Sequence, residues 1–199
     1  LDGGADIDTV SYKDVTAAVT VNLSTTTSQN TGGGGTDTIT NTENILGSAY
    51  NDILTGNSLA NEIQGGNGDD TLNGGDGVDT LSYVDATSTV QVNLSLVSAQ
   101  HTLGAGTDTI SGFENIIGSE YNDTLTGDDN DNVIDGGTGA GYDNLNGGLG
   151  NDTVSYASAS SGVSVTLATT AQQYTAGAGK DILVSFENII GSDFGDGLT

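Results

Sequence analysis

Residues 47–83 read GSAYNDILT GNSLANEIQ GGNGDDTLN GGDGVDTLS Y when cut every nine residues, and that period decides the fold. The last two blocks, 65–73 and 74–82, fit GGxGxDxUx at every defined position, with U a large apolar residue. The first two keep the opening glycine, an Asp or Asn at position six (Asp52, Asn61) and an apolar residue at position eight (Leu54, Ile63). Glycines at positions one, two and four permit positive φ and close backbone packing, so six residues can make a tight turn with carbonyls pointing inward. Positions seven to nine, such as Thr71, Leu72 and Asn73, are too short for an ordinary strand. They suit one rung of a coil with its apolar residue turned inward. Two nonapeptides then complete one turn, and each loop stacks on the loop eighteen residues further along.

The Asp at position six adds a carboxylate to the carbonyl cluster of its loop. Calcium takes about six to eight oxygen ligands in a flexible arrangement, so one such loop supplies about half a coordination shell and a second loop must supply the rest. By this register Asp52 faces Asp70 across one ion, and Asn61 faces Asp79 on the other edge.

Composition points the same way. The chain has 199 residues, 27 acidic groups against two basic ones, and a formal charge of −25. With so few apolar residues, self-repulsion and ordering entropy exceed what burial returns, so the chain should not fold without counterions. A divalent cation that binds only the folded form removes this obstacle, because its binding free energy becomes folding free energy. Cysteine is absent, which excludes disulfides and thiolate metal sites, and a single histidine, His101, argues against zinc. No apolar run approaches the length of a membrane span, and so acidic a chain should be repelled by nucleic acid. Nor does an apolar face recur at helical period.

Internal repeats set the organisation. DTVSY at Asp8 recurs as DTLSY at Asp79 and DTVSY at Asp152, offsets of 71 and 73 residues. The same offsets relate VTVNLS, VQVNLS and VSVTLA, and also ENILG at Glu43, ENIIG at Glu114 and ENIIG at Glu187. The two extra residues lie in GGTGAGYDNLN, residues 136–146, before Asp143. Residues 1–11 therefore end one unit, 12–82 and 83–155 are complete units, and 156–199 is a truncated third, all expected to form one continuous solenoid. Within each unit the spacer after Tyr12, Tyr83 or Tyr156 begins as a strand with Val19, Val21 and Leu23 (Val90, Val92 and Leu94 in the second unit) inward. It then leaves the coil as a loop (TTTSQN, LVSAQH). A further nonapeptide follows: GGGGTDTIT from Gly32, LGAGTDTIS from Leu103 and AGAGKDILV from Ala176. The chain starts and stops inside nonapeptides without capping units, which reads as part of a longer array.

In these motifs the sequence resembles the RTX proteins, whose calcium-binding nonapeptide is GGxGxDxUx. The resemblance implies an all-β fold, a right-handed parallel β-roll or β-helix solenoid with calcium bound between stacked turn loops. It further implies secretion through a type I system, with folding on calcium binding outside the cell. Carried over residue by residue, the position-six ligands are Asp8, Asp37, Asp52, Asp70, Asp79, Asp108, Asp123, Asp143, Asp152, Asp181 and Asp196, with Asn61 and Asn132 as departures that weaken their half-sites. The loops Gly66, Asn67 and Gly68, Gly75 and Gly77, Gly137 and Gly139, and Gly148 and Gly150 supply backbone carbonyls.

The expected cofactor is Ca2+, and the expected partners are the neighbouring repeats, with self-assembly or a surface polysaccharide as further candidates. Adjacent carboxylates such as Asp69 and Asp70, or Asp128 and Asp129, read as ligands or solvated charges, not as an acid–base pair, so no enzyme activity is expected. Tyr12, Tyr83 and Tyr156 read as an aromatic ladder covering the coil, and Asn44, Asn115 and Asn188 as turn residues bonded to backbone. Two functions remain in view. One is a calcium-hardened structural segment of a large secreted bacterial surface protein, such as an adhesin stalk, surface layer or filament. The other is the calcium-folded module of a secreted protease, lipase or epimerase.

Overall fold

Short apolar rungs separated by glycine turns give the chain many brief strands and no helix. The computed structural model describes all 199 residues, which fall into two compact units: residues 1–82 with 96–113, and residues 83–95 with 114–199. The boundary at Ser82 and Tyr83 matches a repeat boundary, whereas residues 96–113 of the second repeat belong to the first unit.

In the first unit, Thr9–Ser11, Asn44–Leu46, Glu62–Gln64 and Thr80–Ser82 form one parallel sheet. Thr20–Asn22, Ile53–Thr55, Thr71–Asn73 and Thr107–Ser111 form another. The register is that of the nonapeptide pair: Leu54 stands beside Leu72, eighteen residues on, and Ile45 beside Ile63. Leu54, Ile63, Leu72 and Leu81 are all fully buried, so position eight supplies a continuous apolar column on each sheet.

The second unit repeats the plan. Its sheets are Asn115–Ile117, Val133–Asp135, Thr153–Ser155 and Asn188–Ile190, and Gln91–Asn93, Thr124–Thr126, Asn144–Asn146 and Gly179–Val184. Leu125 pairs with Leu145 and Ile134 with Val154, twenty residues apart, so the two-residue insertion in 136–146 is absorbed in a loop and both columns stay in phase.

Val19, Val21, Val90 and Val92 point inward as expected, and Leu23 is also buried. The spacer does not simply loop out. Gln29–Gly32 and Gly35–Asp37 form an antiparallel hairpin, and so do Gln173–Ala176 and Gly179–Val184. Gln100–His101 pairs antiparallel with Thr107–Ser111, which also pairs parallel with Thr71–Asn73 and so returns the chain to the coil. A hairpin satisfies the backbone groups that a free loop of this length would leave to solvent.

Candidate calcium-binding loops

The glycine loops are built by backbone packing from one coil to the next. Gly66 has φ +99, and a Cβ there would lie 2.1 Å from the carbonyl oxygen of Ser48 on the preceding coil. Gly68 has φ +130 and sits against the carbonyl of Tyr50. Gly75, Gly77, Gly137, Gly148 and Gly150 share the positive φ. Gly139, in the lengthened loop, does not, although its backbone passes the Glu120 carbonyl closely enough to exclude any side chain. Asn67 is exposed at its loop crest. Carbonyl oxygens are thereby gathered between successive loops, as a hard cation requires.

Position-six side chains run as ladders through these loops. On one edge of the first unit, Asp52 Oδ1 accepts the N–H of Val19 (2.7 Å), Asp70 Oδ1 that of Asp52 (2.8 Å), and Asp108 Oδ1 that of Asp70 (3.0 Å). The second unit repeats this with Val90, Asp123, Asp143 and Asp181. On the other edge, Asn61 donates its N–H to Asp79 and Asn132 donates to Asp152. The expected pairing of loops eighteen residues apart is therefore present as a direct contact.

The members of the ladder differ in what their remaining oxygens do, and the sequence reading had treated them alike. Asp52 and Asp123 belong to loops with serine at position two. Ser48 donates its N–H and hydroxyl to Asp52, and Ser119 does the same for Asp123, so both carboxylates are filled from within. Asp196 accepts the N–H of Val163 and the Ser192 hydroxyl, which hold its carboxyl below the usual range. Asn61 and Asn132 accept from their own loops at Asn57 and Asp128 and donate to the carbonyls of Glu43 and Glu114.

Asp37, Asp108 and Asp181 sit in a different setting. Their nonapeptides fit the motif, but for the first glycine at Leu103 and Ala176, and they close the spacer hairpins. Positive φ falls at positions one and four (Gly32 and Gly35, Leu103 and Gly106, Ala176 and Gly179) where the metal loops have it at two and four. The second carboxylate oxygen is taken by a threonine hydroxyl, from Thr31, Thr102 and Thr175 respectively. Tyr12 and Tyr156 also donate their hydroxyls, to Asp37 and Asp181. These tyrosines are thus buried anchors and not an aromatic ladder over the coil.

Asp70, Asp152 and Asp8 are different again. Each has a buried Oδ2 that meets no hydrogen-bond donor. Burial, with the carboxylates of Asp108, Asp52 and Asp69 nearby, pushes the Asp70 carboxyl up from 3.8 to about 7. Burial and the Asp181, Asp123 and Asp135 charges push Asp143 up to about 8, and burial raises Asp152. Uncompensated buried carboxylate oxygens of this kind call for a cation. No place gathers three or more His, Cys, Asp or Glu side chains in metal-binding geometry. Any ion must therefore draw most of its ligands from backbone carbonyls, which suits calcium and not zinc. Asp8, Asp70, Asp79, Asp143 and Asp152, with the carbonyls of their glycine loops, are the residues that fit it. Bound there, the ion would supply charge compensation.

Two ladder residues carry no aspartate of the motif. Glu43 Oε2 accepts the N–H of Asp8 (3.0 Å), and Glu187 Oε2 that of Asp152 (2.8 Å). Glutamate thus substitutes for the position-six aspartate, and the signal was visible: Glu43 precedes the buried Ile45 by two residues, as Asp52 precedes Leu54. Asn44 and Asn115, read as turn residues, instead begin strands and accept the N–H of Glu62 and Val133 on the next coil.

Parallel coils closed by glycine loops, with unpartnered carboxylate oxygens facing stacked carbonyls, define a calcium-binding β-roll. A family profile for the RTX calcium-binding nonapeptide repeat matches the chain in four copies, over residues 40–58, 46–81, 111–142 and 138–158. Across that span the chain belongs to the RTX repeat family. Such repeats mark a calcium-binding repeat region of a type I secreted protein. Among curated proteins none matches the chain. No helix is long and apolar enough to cross a membrane.

Proposed function

We propose that this region is a calcium-hardened structural segment of a large extracellular bacterial protein, an adhesin stalk, surface layer or filament, that stays unfolded until it meets external calcium. The supporting observation is the set of donor-free buried oxygens on Asp8, Asp70 and Asp152 in a chain of formal charge −25. Folding without a cation would bury like charges beside one another. The structural role is supported by recurrence of the whole unit, spacer hairpin included.

Circular dichroism during calcium titration of the 199-residue chain tests the first half. The expected result is a cooperative gain of β signal at millimolar calcium or below, reversed by chelator and poorly reproduced by magnesium, which demands a tighter octahedron. Equal order after exhaustive dialysis against EDTA would overturn it. The parent reading frame tests the second half: a protease, lipase or epimerase domain on the same chain would make this region an enzyme's folding module instead.

A further inference from the structure

We infer that the nonapeptide closing each spacer, at residues 32–40, 103–111 and 176–184, is an ion-free clip in which a threonine hydroxyl, joined at Asp37 and Asp181 by a tyrosine hydroxyl, occupies the carboxylate that a calcium ion would otherwise need. The proposal rests on the calcium reading for the remaining loops and says where along the unit the ions stop.

The Asp181 carboxylate shows the arrangement most fully. Its Oδ2 accepts the Tyr156 hydroxyl at 3.1 Å and the Thr175 hydroxyl at 3.0 Å, and its Oδ1 accepts the N–H of Asp143 at 3.2 Å. Three donors from three separate segments converge on one buried carboxylate. In the first unit, Asp37 Oδ2 accepts Tyr12 at 2.9 Å and Thr31 at 2.8 Å, and Asp108 Oδ2 accepts Thr102 at 3.0 Å. Thr31, Thr102 and Thr175 are themselves fully buried. An ion at any of these carboxylates would have to displace hydroxyls that have no water to turn to, whereas at Asp70 and Asp152 it meets a bare oxygen.

The backbone agrees with the side chains. The glycines of the clip close a hairpin of antiparallel strands, with Gly32 opposite Gly35 and Ala176 opposite Gly179. The chemistry is also written in the spacing. Threonine stands six residues before the aspartate and tyrosine twenty-five before it in all three units: Thr31, Tyr12 and Asp37; Thr102, Tyr83 and Asp108; Thr175, Tyr156 and Asp181. The clip therefore anchors the spacer hairpin to the coil where the ion ladder ends.

Calorimetric counting of bound calcium on the full chain tests this. Asp181→Asn and Tyr156→Phe are expected to bind as many ions as the parent chain, with a lower melting temperature in calcium, while Asp70→Asn loses at least one ion. Loss of an ion in Asp181→Asn or Tyr156→Phe would overturn the clip. Should Asp181→Asn fail to fold, Tyr156→Phe, which keeps the carboxylate, decides the count. Alkaline ultraviolet titration of the tyrosines separates this from the calcium reading. Burial and the adjacent carboxylate hold the Tyr12 and Tyr156 phenols protonated above their usual range. A class of tyrosines that ionises only on unfolding, reduced by one in Tyr156→Phe, is the expected result wherever the chain is folded, whichever ions it holds. Its absence would overturn the clip.

Discussion

Asp70 accepts the backbone N–H of Asp52 through Oδ1 at 2.8 Å, while its Oδ2 is buried and meets no donor. One oxygen stitches two coils together, and the other is left without a partner, as the proposed calcium site requires. The division explains why glycine loops and carboxylates recur on one period: the backbone contact fixes where the charge sits, and the charge requires an ion before the contact can persist.

Asp70→Asn should therefore cost calcium affinity out of proportion to its size. The amide preserves the acceptor for Asp52 but removes the negative charge. Asp76, exposed at a variable loop position, provides the control. Calcium titration should show at least a tenfold loss, or a missing ion, for Asp70→Asn and a change within about twofold for Asp76→Asn, as expected when a desolvated ligand is compared with a solvent-screened charge. Equal effects would mean that loop position does not matter.

The pH dependence should have opposite signs with and without metal. Asp181, Asp70 and Asp143 have carboxyls raised from 3.8 to about 6, about 7 and about 8 in the metal-free fold, first of all by burial. A raised folded-state pKa gives stability that is fully present below the unfolded value and is lost as pH rises through the folded one. In EDTA, β signal should accordingly be greatest near pH 4 and fall as pH climbs towards 8. Calcium competes with those protons, so its apparent affinity should rise over the same window, by up to about tenfold per pH unit for each proton displaced. Chelated protein that gains structure towards alkaline pH would contradict the burial of these groups.

Glu43 offers a test of the ladder itself. Its carboxylate reaches the N–H of Asp8 from one coil away. Glu43→Ala removes an acceptor from a partly buried amide and should lower stability in calcium by about 1–2 kcal/mol, while Glu43→Gln, which keeps a side-chain oxygen, should lose less. Thermal denaturation of the calcium-loaded chain reads the difference, and identical melting temperatures for the two variants would place the glutamate outside the ladder.

The coil was legible because its signals are local and periodic. Glycines at fixed positions give the turns, and Leu54, Leu72, Ile63 and Leu81 give the columns, so the register eighteen residues apart followed from counting. The two-residue insertion in 136–146 was legible for the same reason. What the sequence hid was how each carboxylate is satisfied. Asp37 and Asp70 occupy the same motif position, yet one meets hydroxyls from Tyr12 and Thr31 and the other meets none. That distinction depends on side chains up to twenty-five residues away, brought close by a hairpin whose strands carry no alternating apolar pattern. Glu43 was missed through its residue type, since the motif names aspartate, although its spacing to Ile45 was correct.

Two glycines with nearly equal φ separate backbone strain from packing between coils. Gly4 has φ +105 with nothing within 4 Å of a hypothetical Cβ, whereas Gly66 has φ +99 and a Cβ there would meet the Ser48 carbonyl at 2.1 Å. Alanine at either position pays for a left-handed backbone, about 1–2 kcal/mol. Only at Gly66 must it also push apart two stacked loops. Gly4→Ala should then show a small fall in melting temperature with unchanged calcium affinity. Gly66→Ala should lose more than about 3 kcal/mol and weaken calcium binding as well, because the carbonyls on which the ion depends are the atoms displaced. Paired calorimetry on the two variants measures both quantities. If Gly66→Ala lowered stability no further than Gly4→Ala and left affinity intact, the close approach of Ser48 to Gly66 would have no part in the site.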